Sequence, residues 1–392
     1  MKKPSLPRWA AAGAALILTL AALVLGLLER RMVDFEVNDR AARRIPLGET
    51  LYRSEDGHFQ FKYPPAAALM YLPLTVLPPE GAKAAWFFLS LLAIGFCLEL
   101  SMRLAGWADG PQSWAARVLS LLILGKFFLR ELELGQVNIF ILLFMLFSAR
   151  FLARAEDEGR ARFESAAGLL WGVATAVKPY TLVFLPYFLV RRKPRALAAG
   201  VAVLAASFLL PGLFYGMSGN WIVIREWVVG LTASTPPLLT SQDNVSVFAC
   251  AAKHLAGSAA SAVGWAAAAL LGLFTLWIIL KGRSRSEARP DSRFLALEVA
   301  ILLLLTPLVS PLGWDYTLLA GLPAVVIALR HFGRFQSAGR VLLAASLAWT
   351  ALFLYDIFGR EAYGVLMGLC LPTANALVLA GFLADLRRRG IC

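Results

Sequence analysis

The chain has 392 residues, of which 59% are hydrophobic and 16% charged, and its formal net charge is +13. Soluble domains carry about a quarter charged residues, so this deficit excludes an ordinary water-soluble fold and points to an all-α integral membrane protein. The basic excess does not require nucleic acid, because membrane proteins concentrate Lys and Arg in their cytoplasmic loops.

The first apolar run, Trp9 to Leu28, follows Lys2, Lys3 and Arg8. It has the charge pattern of a signal peptide, but its length and the many runs after it favour an uncleaved first span. Further runs lie at 82–104, 115–130, 137–153, 164–177, 180–190, 196–214, 261–280, 294–309, 315–329, 341–357 and 362–384. Together they predict one polytopic domain over residues 1–392, with about twelve crossings of roughly 30 Å of hydrocarbon.

Basic residues fall in alternate loops: Arg150/Arg154/Arg160/Arg162, Arg191/Arg192/Lys193/Arg195 and Lys281/Arg283/Arg285/Arg289/Arg293. Arg330/Arg334/Arg340 and the tail Arg387/Arg388/Arg389 continue the series, which places both termini in the cytoplasm. Residues 164–190 have basic loops on both sides, so two short helices meeting at Lys178-Pro179-Tyr180 fit better than one kinked helix. Proline has no N–H to donate and disfavours helix in the residue before it. A single helix there would invert everything C-terminal to it.

Two outer segments, 29–81 and 215–260, are too long for turns and read as large loops. The first holds the apolar run Ala66–Leu77 between Pro64/Pro65 and Pro78/Pro79, short for a span and expected to re-enter or lie in the interface. The second holds Trp221 to Trp227, with an aromatic anchor at each end.

Threaded through this topology, polar residues gather at the outer ends of the spans: Asp34, Glu36, Asn38 and Asp39, then Lys62 and Tyr63, then Arg130, Glu131, Glu133, Gln136 and Asn138. Lys178, Tyr180, Gln242, Asp243, Asn244, Ser246, Asp315 and Tyr316 complete the rim. Taken singly, each has an ordinary reading. Asp34 passes for a solvated loop acid, Lys178 for a lysine snorkelling to lipid phosphate, and Asn244-Val245-Ser246 for a chance glycosylation sequon. Their shared face is what suggests a site. Asp34-Phe35-Glu36 lacks a third ligand, so no metal is expected. The scattered Cys97, Cys250, Cys370 and Cys392 predict neither a disulfide framework nor a metal knuckle.

A carboxylate beside cations suits transfer from a lipid-linked phosphosugar. The carboxylate takes the proton of an attacking hydroxyl, and the cations hold the departing phosphate. Phosphate leaves readily as an anion, so the paired carboxylates of glycoside hydrolysis are not needed.

Several blocks then resemble glycosyltransferase family 87, polytopic enzymes of the GT-C superfamily that use polyprenyl-phosphate sugars. They are Asp34 with Leu47-Gly48-Glu49-Thr50-Leu51-Tyr52, Tyr63-Pro64-Pro65 and Leu72-Pro73-Leu74, then Gly135-Gln136-Val137-Asn138. Gly168 to Gly172 with Ala176-Val177-Lys178-Pro179, Asp243 to Ser246, and Thr306 to Pro311 with Trp314 follow. The resemblance implies a GT-C bundle with an extracytoplasmic site, Asp34 as the catalytic base, and inversion at the anomeric carbon. Family members that extend phosphatidylinositol mannosides tend to carry a histidine after the late Ser-Pro motif. Here Trp314 is followed by Asp315 and Tyr316, which leaves the sugar open.

The expected function is therefore transfer of a hexose or pentose from a polyprenyl-phosphate donor to a lipid or glycan acceptor at the outer face of a bacterial inner membrane. Asp34 is the expected base, and Lys62, Lys178 and Arg130 the phosphate ligands. Glu36, Tyr63, Gln136, Asn138, Asn244, Asp315 and Tyr316 are placed at the sugar or acceptor, with no cofactor beyond the donor. The alternatives are a secondary transporter or lipid-linked-sugar flippase, which would favour repeats and mid-bilayer polar groups, and a non-catalytic envelope scaffold.

Overall fold

Long runs of Leu, Ala, Val and Phe leave backbone groups no partner but one another, and helix is the local solution. The computed structural model describes residues 32–281 and 294–391. The expected first span, 9–28, and most of the basic segment 281–293 lie outside the described residues.

Helix α1 (Val33–Arg44) and the short α2 (Pro65–Leu69) precede α3 (Pro79–Leu104), α4 (Pro111–Ile123) and α5 (Gly125–Leu134). Then come α6 (Asn138–Glu158), α7 (Ala161–Val177), α8 (Leu185–Val190), α9 (Pro194–Leu209) and α10 (Gly212–Leu239). The chain continues through α11 (Val247–His254), α12 (Gly257–Lys281), α13 (Leu295–Val309), α14 (Leu322–Arg330), α15 (Ser337–Leu352), α16 (Tyr355–Gly368) and α17 (Leu371–Arg388). Proline opens α3, α4 and α9, where its missing N–H removes no helical bond.

Three of these, α3, α6 and α12, are each long and apolar enough to cross a membrane, and the number reaches five if the bent pairs α9/α10 and α15/α16 count as spans. They turn apolar side chains outward, such as Phe88, Leu92 and Phe96 on α3 and Trp265, Leu270 and Leu273 on α12. Such a surface is suited to lipid, and the chain is a membrane protein. Among the described residues, the other expected runs are helical but shorter. The run 115–130 divides at Leu124, and 196–214 ends at an 85° bend. The run 341–357 meets a 100° bend, and 362–384 breaks at Cys370, whose φ is 57°.

The expected outer loop 215–260 is mostly helix. Pro236 and Pro237 lie within α10, and Gly216 (φ 66°, ψ 172°) interrupts it. The helix lies across the end of α9, with Tyr215 Oη donating to Glu49 O (2.8 Å) and Trp227 Nε1 to Lys62 O (3.2 Å). In the first outer segment, Ala66–Leu77 forms α2 and a 3-10 turn over Leu72–Val76, without spanning.

The break at Lys178-Pro179 is present. Helix α7 stops at Val177, Lys178 is extended (φ −133°, ψ 109°), and a 3-10 turn over Pro179–Phe184 leads into α8. Trp171 Nε1 donates to Thr181 O (2.9 Å), and its ring lies 5.0 Å from that of Phe188. A continuous helix would hold residues 171 and 188 about 25 Å apart, so the segment is a hairpin. Glycines permit the close packing behind it. A Cβ on Gly168 would lie 2.0 Å from Ala196 O, and one on Gly200 2.3 Å from Trp171 Cε3, so α7 and α9 touch backbone to backbone.

The bundle has two chemically different ends. At one, Glu298 is gripped by Arg191 (2.7 Å) and Arg387 (2.8 Å), while Glu156 pairs with Arg191 (3.1 Å) and Lys193 (2.8 Å), every one of these side chains lying inside the protein. Helix α6 runs from Asn138 to this cluster, and the 18 residues between Asn138 and Glu156 span about 27 Å, close to the hydrocarbon thickness. The predicted site residues lie at the opposite end.

Candidate active site

The site is built around the turn from α5 to α6. Gly135 ends α5 in the left-handed region (φ 68°), and a Cβ there would lie 2.6 Å from Phe35 Cβ. Only glycine meets both conditions without strain. The sharp turn brings Glu131, Gln136 and Asn138 to one buried face. Against it lies α1, tied by Met32 N–H donating to Glu133 O (2.8 Å), with Phe35 packed against Tyr71 and Trp86. Asp34 thus enters from α1, Tyr63 from the extended segment before α2, Lys178 from the α7 break, and Tyr316 from the 3-10 turn Asp315–Gly321.

Gln136 joins them. Its Nε2 donates to Asp34 Oδ2 (2.6 Å) and to Tyr316 Oη (3.1 Å), and its Oε1 accepts from Tyr63 Oη (3.2 Å). Lys178 Nζ lies 3.4 Å from the same Oε1 and donates more strongly to Asn138 Oδ1 (2.6 Å), which also accepts from Tyr180 Oη (3.3 Å). Asn138 Nδ2 donates in turn to Glu131 Oε2 (2.8 Å), and Glu131 Oε1 accepts the Ile139 N–H (2.8 Å). Lys178 sits over the Tyr63 ring at 5.1 Å. One hydrogen-bonded chain therefore runs from the Asp34 carboxylate through two amides to the Lys178 ammonium and the Glu131 carboxylate.

Burial sets the electrostatics. It pushes the Lys178 ammonium below the usual lysine range, opposed by the charges of Glu131 and Asp34. It pushes the Glu131 carboxyl above the usual range, opposed by the Asn138 amide, Lys178 and backbone N–H groups. Such an arrangement can accept a proton at one end and bind an anion at the other.

The remaining predicted residues lie elsewhere. Glu36 is paired with Lys83 (2.5 Å) on the outer side of α1. Arg130 is exposed and paired with Glu133 (3.0 Å), and Lys62 contributes its carbonyl to Trp227. Asn244 is fully buried: Nδ2 donates to Leu238 O and Pro311 O, and Oδ1 accepts the Ser246 N–H. With its polar atoms engaged inside the protein, Asn244 is a clasp for the segment bearing Tyr316 and is inaccessible as a sequon. The same clasp includes Val245 N–H to Gly313 O (2.7 Å) and Asp315 N–H to Asp243 O (2.9 Å). Asp315 belongs to that clasp through its backbone N–H and stands outside the hydrogen-bonded chain described above.

Glu131 is the participant not singled out as a site residue: it appears in the sequence as one of several rim acids, and only helical phase and packing distinguish it. Lys83, the partner of Glu36, is a charge inside an apolar run, a costly placement unless it is paired. Among the described residues, no group of three His, Cys, Asp or Glu is placed to hold a metal ion.

The model of glycosyltransferase family 87 matches residues 61–311, a range that includes Gln136, Asn138 and Lys178 and begins after Asp34. The chain is 26% identical to a polyprenol-phosphate-mannose-dependent alpha-(1-2)-phosphatidylinositol mannoside mannosyltransferase of Mycobacterium tuberculosis, over 86% of this chain and 82% of that one. It is 29% identical to an alpha-(1->3)-arabinofuranosyltransferase of Corynebacterium glutamicum, over 53% and 52%. Among solved structures, ArnT from Cupriavidus metallidurans bound to undecaprenyl phosphate aligns over 97% of this chain and 78% of that one. Its identity is 15% and its TM-score 0.42, too low to bear on the site.

Proposed function

The chain belongs to glycosyltransferase family 87, and from that premise we propose that it moves a sugar from a polyprenyl-phosphate donor to a lipid or glycan acceptor, with Asp34 as base and Lys178 at the donor phosphate. The observation that carries this reading is the hydrogen-bonded chain from Asp34 through Gln136 and Asn138 to Lys178. It joins a carboxylate and an ammonium from elements far apart in sequence. The dependence of the mycobacterial relative on polyprenol-phosphate mannose supports the donor class.

Chemically, the acceptor hydroxyl attacks the anomeric carbon from the face opposite the phosphate. As the new C–O bond forms, the C–O bond to phosphate breaks and the configuration inverts. With Oδ2 held by Gln136, Asp34 Oδ1 is the oxygen that takes the hydroxyl proton. The electron pair of the broken bond leaves on polyprenyl phosphate, whose added charge Lys178 offsets in a water-poor setting. The hydroxyls of Tyr63, Tyr180 and Tyr316, which join the same network, are the groups this reading places at the sugar. The reaction as drawn uses only donor, acceptor and these side chains.

The basic end of the bundle faces the cytoplasm in this reading, which puts the site on the outer face of the inner membrane. A transporter is less well supported, because Asn138 and Lys178 stand at helix ends about a membrane thickness from the ionic cluster. Proteoliposomes loaded with acceptor lipid and given radiolabelled polyprenyl-phosphate mannose, glucose or arabinose separate the two readings. Labelled glycoside is expected with at least one donor; protected label without glycoside in every case overturns the proposal in favour of transport.

A further inference from the structure

We infer that Glu131 is a positioning residue for donor binding: it fixes the Asn138 side-chain amide so that Oδ1, not Nδ2, faces Lys178. This deepens the function proposed above and rests on Lys178 holding the donor phosphate.

An asparagine amide has a donor end and an acceptor end of nearly equal size, and its orientation is set by its neighbours. Asn138 lies between two buried groups of opposite charge. On one side, Glu131 Oε2 accepts from Nδ2 at 2.8 Å. On the other, Lys178 Nζ and Tyr180 Oη donate to Oδ1 at 2.6 and 3.3 Å. Glu131 has no freedom of its own, because Oε1 is held by the Ile139 N–H at the first turn of α6. The amide therefore relays the influence of an anion to an ammonium it does not touch. Reversed, Asn138 would present N–H groups to Lys178 and deprive it of its shortest bond.

Glu131→Gln tests this by inverting a single atom. The Ile139 N–H demands an acceptor, so the substituted side chain must place its amide oxygen there and turn its NH₂ toward Asn138. Asn138 then flips, and Nδ2 faces the ammonium. The double variant Glu131→Gln/Asn138→Asp repairs the pattern, since a carboxylate at position 138 accepts from both sides and restores the lost charge. Asn138→Asp alone sets two carboxylates against each other.

The assay is donor KM, kcat and the pH profile of kcat/KM in nanodiscs, with thermal stability followed in parallel. Glu131→Gln is expected to raise donor KM by about 10- to 100-fold, the scale of one lost hydrogen bond to a charged group, with a smaller change in kcat. Its alkaline limb should move to lower pH, because Asp34 is then the remaining carboxylate facing Lys178, alongside the Tyr63 and Tyr180 rings. The double variant should return KM to within about threefold of wild type and outperform both single variants. A purely helix-capping Glu131 predicts no such recovery. An unchanged KM and pH limb in Glu131→Gln overturns the inference, as does a double variant no better than Glu131→Gln, whether or not the single variant folds. Lys178→Met separates the two levels: normal donor KM there removes the functional reading itself, while an impaired Lys178→Met beside a normal Glu131→Gln removes only the relay.

Discussion

Replacing Gln136 with alanine removes the side chain through which Asp34, Tyr63 and Tyr316 reach one another. The bond to Asp34 is short, at 2.6 Å, and its acceptor is a carboxylate. Hydrogen bonds to charged groups contribute about 1.5–3 kcal/mol, and the two tyrosine bonds at 3.1 and 3.2 Å about 1 kcal/mol each. Water entering the vacated space replaces part of this. A net loss of about 3 kcal/mol in the transition state corresponds to roughly a 100-fold fall in kcat/KM. The same bonds stabilise the free protein, so the melting temperature should fall as well, but the turn itself should hold because Trp86 Nε1 bonds the Gln136 backbone carbonyl, which alanine retains. Gln136→Glu should be worse than alanine, since a second carboxylate would face Asp34 and could not donate to it. Initial rates of glycoside formation, with melting temperatures of the same samples, decide the matter. A folded Gln136→Ala enzyme within threefold of wild-type kcat/KM would refute the network as the organiser of the site.

Because burial depresses the Lys178 pKa and the charged form binds phosphate, donor binding is present below that pKa and lost as pH rises through it. The kcat/KM profile should therefore fall on its alkaline side well before pH 10.5, the ordinary lysine value, and a profile flat to that pH would contradict the assignment. Gly135→Ala combines a left-handed backbone with a Cβ contact of 2.6 Å, so it should cost about 3 kcal/mol, read as a lowered melting temperature and lost transfer. Cys250 and Cys370, far apart in sequence, have side chains within hydrogen-bonding reach. A thiol oxidant should join them in a disulfide seen by peptide mass spectrometry and abolished by Cys250→Ser; its absence would contradict the packing of α11 against the start of α17.

How much of this was legible in the sequence depended on the kind of signal. Lys178-Pro179 could be read because two physical constraints coincide there, a proline that breaks helix and basic loops that require a return. Gly135-Gln136-Val137-Asn138 could be read as a turn between apolar runs carrying two amides at one depth. Glu131 was hidden by its neighbour. Residues 130 and 131 differ by about 100° around α5, and only packing shows that Glu131 points inward while Arg130 points out. Asn244 was misleading for the opposite reason. A polar residue on the rim suggested ligand binding, but its amide is used to clasp the Tyr316 segment. Glu36 likewise finds its partner, Lys83, within the protein. The 215–260 segment reads as a loop in the sequence because the topology leaves it too long for a turn between spans, although α10 follows Gly216 and rests Tyr215 and Trp227 on the first outer segment.

The division of labour between Asp34 and Lys178 is tested most directly by measuring donor binding and single-turnover transfer side by side for Asp34→Asn and Lys178→Met in nanodiscs. Asp34→Asn should bind the polyprenyl-phosphate sugar within about threefold of wild type yet transfer it roughly 10³-fold more slowly, the scale of a lost general base. Lys178→Met should lose donor affinity by at least about tenfold. Transfer by Asp34→Asn at the wild-type rate would contradict the account.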